Sequence, residues 1–549
     1  MKPWFPAAGI ALLAAGILAT SCGGGGGEAT ASPAPSPGKT PEGSATSSAA
    51  QPKYGGTMKF IALGLGNTDP HVQPNQLITT QFWLTASNQL FRTVKGGEVQ
   101  PDLVETWEQV DDTTWVFHIH KDVKWQNVPP TNGRPFTAAD VKYSIDRIST
   151  PDPKYAYNES FKLIADVSVV DDFTVKVTLE KPNIYLLNLM AFPSLSMVPK
   201  ELVDESPPTG IALEAVGTGP FIMTDLKTDV AAKFKRNPDY WKKDAQGNQL
   251  PYLDGFEMLA ITDATAQEAA FRSKQIDLGG VPRPSLESFL KENPDVKDVT
   301  VTYAYPYMLV LNTKTKPFDD VRVRQAVMYA TNRKEYGEVV QMSSDWVTLP
   351  GPVPLVYEGW ALDESEASPY DPAKAKLLME EAGYPNGFKV DALEATLPPQ
   401  YLQAAQVGQA QLKKELNMDV TLKTTSLAEW ASRAYRGELA MTWYLEQQFS
   451  LPEMYVNRRF HTGSGANWTF YSNTKVDELI DQHYVQTDLK EAQRLLKEAQ
   501  RIIVQEAPHV FLFSPVIHFT LRPHVHGYDP SVQATGAYWF YQLESIWMD

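Results

Sequence analysis

A single cysteine, Cys22, in 549 residues rules out an intramolecular disulfide and a thiolate metal cluster within the chain. Positive charge is also scarce: 49 Lys+Arg stand against 65 Asp+Glu, a formal net charge of −16. A nucleic-acid binder needs a basic face to neutralise phosphates, so no nucleic-acid partner is expected. Beyond the first twenty residues no uncharged stretch of membrane-spanning length is predominantly apolar. No fixed-period repeat is present, and none of G-x-x-x-x-G-K-[ST], G-x-S-x-G or H-E-x-x-H occurs. Without those signatures the chain is expected not to be an enzyme, and no cofactor is expected.

What is present starts with an export signal. Lys2 is followed by an uncharged apolar run from Ala7 to Ala19, too short to span a bilayer, which needs about 20 apolar residues. The run leads into Ala19-Thr20-Ser21-Cys22, which resembles a bacterial lipobox with Ala19 in the place usual for Leu. The resemblance implies a signal peptide over residues 1–21 and lipidation of Cys22; the alternative is an ordinary cleaved signal with an incidental cysteine. Gly23 to Gly27 and the Ala, Ser, Thr, Pro and Gly that dominate as far as Pro52 cannot bury enough apolar surface to fold. Residues 22–52 therefore form a flexible tether reaching on the order of 30 Å. The expected location is the cell envelope outside the cytoplasm, with the body lipid-anchored at the membrane surface.

From Lys53 onward strand-like and helix-like segments interleave, as in a mixed α/β body. Thr114 to His120 alternates, with Trp115, Phe117 and Ile119 on one face, and Thr174 to Leu179 alternates as well. Tyr307 to Leu311 is short and wholly apolar, as a buried strand is. Thr137 with Asp140 caps a helix whose stripe is Val141, Ile145 and Ile148. Asp320 opens a second helix. Asp371-Pro372 opens a third, with Leu377 and Leu378 turned inward and Gly383 as its stop. Asp488 with Glu491 opens a fourth, whose stripe runs from Ala492 to Ile503 before Pro508.

Pro101 to Trp125 reads PDLVETWEQVDDTTWVFHIHKDVKW, and Gly133 to Ile148 reads GRPFTAADVKYSIDRI. These blocks resemble the signature of family 5 extracellular solute-binding proteins, the peptide and oligopeptide receptors of ABC importers. The departures are Val104 for Ala, Thr106 for Ser, His120 for Arg and Asp122 for Gly. Gly217 to Phe221, Arg236 to Trp241, Leu311 to Ala330, Tyr370 to Phe388 and Tyr471 to Ile480 resemble the family's later blocks, in family order.

The resemblance implies an α/β, two-lobed periplasmic-binding-protein-like fold of type II, in the large cluster with an extra subdomain. A ligand cleft would lie between the lobes, and a two-strand hinge would let them close. Residues 53–98, 217–306 and 518–549 would form lobe I, residues 99–216 its additional subdomain, and residues 307–517 lobe II. The hinge strands would lie near Tyr303 to Leu311 and Val510 to Phe519. The implied function is capture of an oligopeptide or dipeptide by closure and its delivery to ABC permease transmembrane subunits with separate ATPases, by a monomer. An oligosaccharide or other small polar solute is the alternative ligand. A secreted hydrolase with two cleft carboxylates is the alternative of another class.

In peptide-binding members of the family a Trp-x-x-Asp element lines the cleft and its Asp pairs with the peptide's α-ammonium. Trp443-Tyr444-Leu445-Glu446 has that spacing with Glu in place of Asp, which moves the anionic centre outward by roughly one bond. Asn467, Trp468 and Tyr305 are the other residues expected at the ligand. The His118/His120 and His524/His526 pairs have a spacing that suits a metal, but no acidic or cysteine partner is arranged beside them in the sequence, and no metal is expected.

Overall fold

The computed structural model describes residues 51–549 apart from 63–64, 66–68, 73–81, 95–96, 153, 156, 207–214, 397–398, 450 and 530–541. The signal segment, Cys22 and almost all of the tether lie outside the described residues.

The organising element is a single long strand, His509–Leu521. Its first seven residues, HVFLFSP, are all buried, as befits a strand covered on both faces. That half pairs antiparallel with Tyr307–Leu311 and Trp346–Thr348. The remaining half pairs antiparallel with Lys297–Thr302 and Leu278–Gly279. One strand thus belongs to two half-sheets, and only Tyr303–Pro306 separates Lys297–Thr302 from Tyr307–Leu311 beside it. These two antiparallel courses of chain are the crossover between the lobes of a two-lobed fold.

On one side of the crossover the strand order runs Phe221–Lys227, Ala231–Arg236, Gly255–Ala260, Thr57–Ala62, Leu278–Gly279. Phe60, Phe82, Trp83, Phe221 and Phe256 are among the residues of its core. On the other side it runs Asp419–Thr425, Lys389–Ala395, Met441–Leu445, Tyr307–Leu311. Lys389–Ala395 and Asp419–Thr425 pair in parallel, so they need a crossover connection, which the helix Pro399–Leu416 supplies. Leu309, Tyr336, Trp443 and Phe513 belong to the core of this second half.

A separate four-stranded antiparallel sheet, in the order Val104–Gln109, Thr114–Ile119, Thr174–Leu179, Ile164–Asp171, carries its own core with the helix Ala138–Ser149. The helix begins with the capping box of Thr137 and Asp140. Phe117 and Ile119 are buried as their alternation requires, and Trp115 is half-buried.

The helix Pro372–Glu381 starts at its cap, where Asp371 accepts a hydrogen bond from the Lys374 N–H at 3.0 Å. Its inward face differs from expectation. Ala375 and Met379 are buried, Leu378 is half-buried, and Leu377 is 54 % exposed. At about 100° per residue Leu377 lies about 200° round from Ala375, and the close partner surface accepts the small residue. The last long helix, Leu489–Glu506, is capped by Asp488 and ends at Ala507 in the left-handed region, φ 48°. Among the described residues no helix is long and apolar enough to cross a membrane.

Candidate functional site

The strand Met441–Leu445 lies antiparallel to Tyr307–Leu311, with Leu445 opposite Tyr307. Glu446 therefore leaves the sheet beside the crossover, where its N–H donates to the Pro306 carbonyl at 2.9 Å. Its carboxylate is 1 % exposed and is gripped by both sides of the Arg459 guanidinium, with Nη2 donating to Oε1 at 2.7 Å and Nε donating to Oε2. Oε1 also accepts the Gln447 N–H at 3.1 Å. Arg459 comes from the short helix Met454–Phe460, and its Nη1 donates to the Ala466 carbonyl at 2.7 Å. Burial pulls the guanidinium pKa down, but the Glu446 carboxylate outweighs it and holds Arg459 above its usual range.

Aromatic rings surround this ion pair. Arg459 lies 3.8 Å over the Trp468 ring and 5.6 Å from that of Tyr444. Trp430 stacks on Tyr444 at 5.1 Å, and Trp468 meets Trp430, Tyr435 and Tyr444 edge-on at 5.3, 5.5 and 5.0 Å. Such contacts fix the guanidinium plane and add cation–π attraction. Trp468 is 8 % exposed, and its indole N–H is buried with no hydrogen-bond partner.

Tyr305 is half-buried within the crossover, its ring edge-on to Tyr303 at 5.5 Å, and burial pushes its phenol up to about 12. Asn467 ties a turn: its Nδ2 donates to the carbonyls of Tyr471 and His461 at 2.7 and 3.2 Å. Its Oδ1 accepts from the Thr469 hydroxyl and the Tyr471 N–H. The side chain supports Trp468 rather than offering free groups of its own.

Trp443 faces the other way, into the core of the second half, where its indole N–H donates to the Tyr336 hydroxyl at 2.9 Å. Its backbone N–H donates to the buried carboxyl of Glu394 at 3.1 Å, which burial pushes well above the usual carboxylate range. Of the residues singled out by sequence, the structure groups Glu446 with Trp468 beside the Pro306 end of the crossover and sets Tyr305 one residue away in the chain. Arg459, Tyr444, Trp430 and Tyr435 were not foreseen. The sequence carries no clear signal for Arg459, which stands beside Asn457 and a second arginine, Arg458, in the helix Met454–Phe460.

The histidines expected to stay free of metal have separate commitments. His118 meets the Thr174 hydroxyl at 3.2 Å and His120 lies 4.6 Å from the Trp241 ring. His524 meets Asp277 at 2.9 Å, while His526 stacks on Trp547 at 4.0 Å. Among the described residues no group of three or more His, Cys, Asp or Glu side chains is placed to hold a metal ion.

Residues 98–468 match the bacterial extracellular solute-binding proteins of family 5. The chain is 30% identical to heme-binding protein A of Haemophilus influenzae, over 80% of this chain and 84% of that protein. It is 28% identical to the dipeptide-binding protein of Escherichia coli, over 78% of this chain and 84% of that protein. Among solved structures, it resembles a periplasmic binding protein of Helicobacter pylori in complex with the peptide STSA. That match has a TM-score of 0.74 and 24% identity, covering 90% of this chain and 98% of the other.

Proposed function

This chain belongs to the family 5 bacterial extracellular solute-binding proteins, and on that premise we propose that it closes around a short peptide and passes it, unmodified, to the membrane permease of an ABC importer. The observation that carries the reading is the buried acid at the crossover. An ionised carboxylate offers about four lone-pair sites. Arg459 takes two of those on Glu446 and the Gln447 N–H a third, which leaves one for the α-ammonium of a peptide. Arg459 then acts as the clamp that fixes the orientation of the acid. The indole N–H of Trp468 and the half-buried phenol of Tyr305 are the donors nearest to the captured backbone in this reading.

An oligosaccharide calls for open aromatic faces, whereas Trp430 and Trp468 are buried against each other and against Tyr444. That packing favours the peptide. The protein acts as a monomer, is held outside the cytoplasm by a lipid on Cys22, and works with a permease whose ATPases are separate chains. Replacing Cys22 with Ser is expected to release it from membranes; persistent attachment would refute the anchor.

Isothermal titration with di-, tri- and tetrapeptides, their N-acetylated forms and cello-oligosaccharides tests the ligand reading. Free peptides are expected to bind, and acetylation to weaken them by about tenfold or more, the scale of one charge-assisted contact. Heat from sugars alone ends the peptide reading. Equal affinity for free and acetylated peptides removes Glu446 from recognition of the ammonium, and recovery of a cleaved peptide ends the receptor reading.

A further inference from the structure

Away from the Glu446 site, the region of the four-stranded sheet touches the second half of the molecule. The Ile184 N–H donates to the Tyr484 carbonyl at 3.1 Å, and the Tyr185 ring lies 5.4 Å from Trp360. Beside this contact is a pocket of about 330 Å³ with walls from both regions. Tyr185, Leu189 and Phe192 line one side, and Leu451, Glu453, Met454, Arg458 and Tyr484 the other.

Three polar groups in this lining have capacity that the protein does not use. Tyr185 is 3 % exposed, yet its hydroxyl is buried without a hydrogen-bond partner. The Arg458 Nε is likewise buried and unpartnered, and among the described residues Arg458 forms no ion pair. Glu453 is 6 % exposed and accepts a single side-chain hydrogen bond, from the Tyr484 hydroxyl at 2.6 Å. Burial pushes its carboxyl up to about 7, against the opposing pull of Tyr484 and Arg458. Leaving buried donors unmade is costly, so a group that recurs in this state signals a missing acceptor.

We propose that this pocket is a second binding site, for a free α-amino acid with an apolar side chain. Two orphaned donors, the Tyr185 hydroxyl and the Arg458 Nε, call for an anionic acceptor, which an α-carboxylate provides. Glu453 lies in the same lining with no ion pair of its own among the described residues, and an ammonium would supply its counter-charge. An approaching ammonium favours the ionised carboxylate, so Glu453 loses its proton as the amino acid enters. Leu189, Phe192, Leu451 and Met454 supply the apolar lining for the side chain. The volume suits an amino acid and is at the small end for a ligand site. Because the walls come from two regions, an occupant bridges them and favours by linkage the arrangement in which they touch. The site itself does not depend on which solute the main cleft takes.

The test is titration of the full chain with L-leucine and L-methionine, with leucinamide and 4-methylpentanoate as controls that each lack one charge. Both amino acids are expected to bind, with the controls weaker by about tenfold or more. Tyr185→Phe removes only an unpartnered hydroxyl and keeps the ring contacts, and Arg458→Gln removes the other donor. Each is expected to weaken leucine by a similar factor while the melting temperature stays near that of the parent. Absence of binding to the parent protein at tens of millimolar leucine overturns the proposal. So does undiminished binding in the Tyr185→Phe/Arg458→Gln double variant, which would place the amino acid elsewhere.

Discussion

Glu446 and Arg459 are charges that tolerate burial only together. Each has lost its water, and the bidentate contact with the added Ala466 carbonyl repays the loss. Removing one partner strands the other. Glu446→Gln is therefore expected to destabilise the fold by about 3–5 kcal/mol in urea titrations, the usual cost of an uncompensated buried charge. Glu446→Gln combined with Arg459→Met is expected to recover most of that loss. A stable single variant would show that the pair contributes little to folding. The spacing Trp443-x-x-Glu446 was legible in the sequence; its partner, 13 residues on, was not. That contact depends on how the helix Met454–Phe460 is set against the sheet, which no local pattern encodes. Trp443, expected at the ligand, points instead into the core, and strand geometry accounts for it. Residues three apart in a strand point to opposite faces, so Trp443 and Glu446 cannot share a wall unless the strand breaks between them.

At the scale of elements, caps and stripes were the legible part. Thr137, Asp320, Asp371 and Asp488 each stand at the N-cap of the helix they were read to open. Less legible was which small residues serve close packing, as Leu377 against Ala375 shows. Gly408 is the sharpest case. It sits inside the helix Pro399–Leu416, where Ala would be preferred by about 1 kcal/mol on propensity alone. A Cβ there would lie 2.1 Å from Trp443 Cζ2 and 2.2 Å from the Tyr336 hydroxyl. Overpacking of this kind costs about 1–3 kcal/mol, so the clash outweighs the propensity gain. Gly408→Ala is expected to lower stability, as read by thermal or urea unfolding. Combined with Trp443→Phe, which makes room, the loss is expected to be smaller than the sum of the two. A stabilised Gly408→Ala protein would mean that the helix stands farther from the sheet.

The whole molecule carries a proton balance set by burial. His71, His483 and His509 are buried, and desolvation is the main cause that lowers them to about 3, about 4 and about 3. Unfolding returns each to its ordinary range, so between pH 4 and 6.5 the unfolded chain takes up protons there. Stability from these groups is fully present above about pH 6.5 and is lost as pH falls. Glu453, raised to about 7 by burial, and Glu394, raised well above its usual range by burial, act in the opposite direction. Glu453 is protonated when folded and ionised when unfolded near pH 5.5, so it releases a proton on unfolding, and Glu394 pulls in the same direction. Each buried histidine adds an uptake of about one proton there and Glu453 subtracts about one, a contribution of about 1.4 kcal/mol per pH unit for each group. Urea unfolding across pH 5–6 measures the resulting slope of stability against pH. His509→Phe keeps a ring against Phe460, 4.7 Å away, and removes one uptake, so the slope is expected to fall by about one such contribution. Glu453→Gln keeps an acceptor for Tyr484 and removes one release, so the slope is expected to rise by about as much. Slopes that move the same way in both variants would refute the balance.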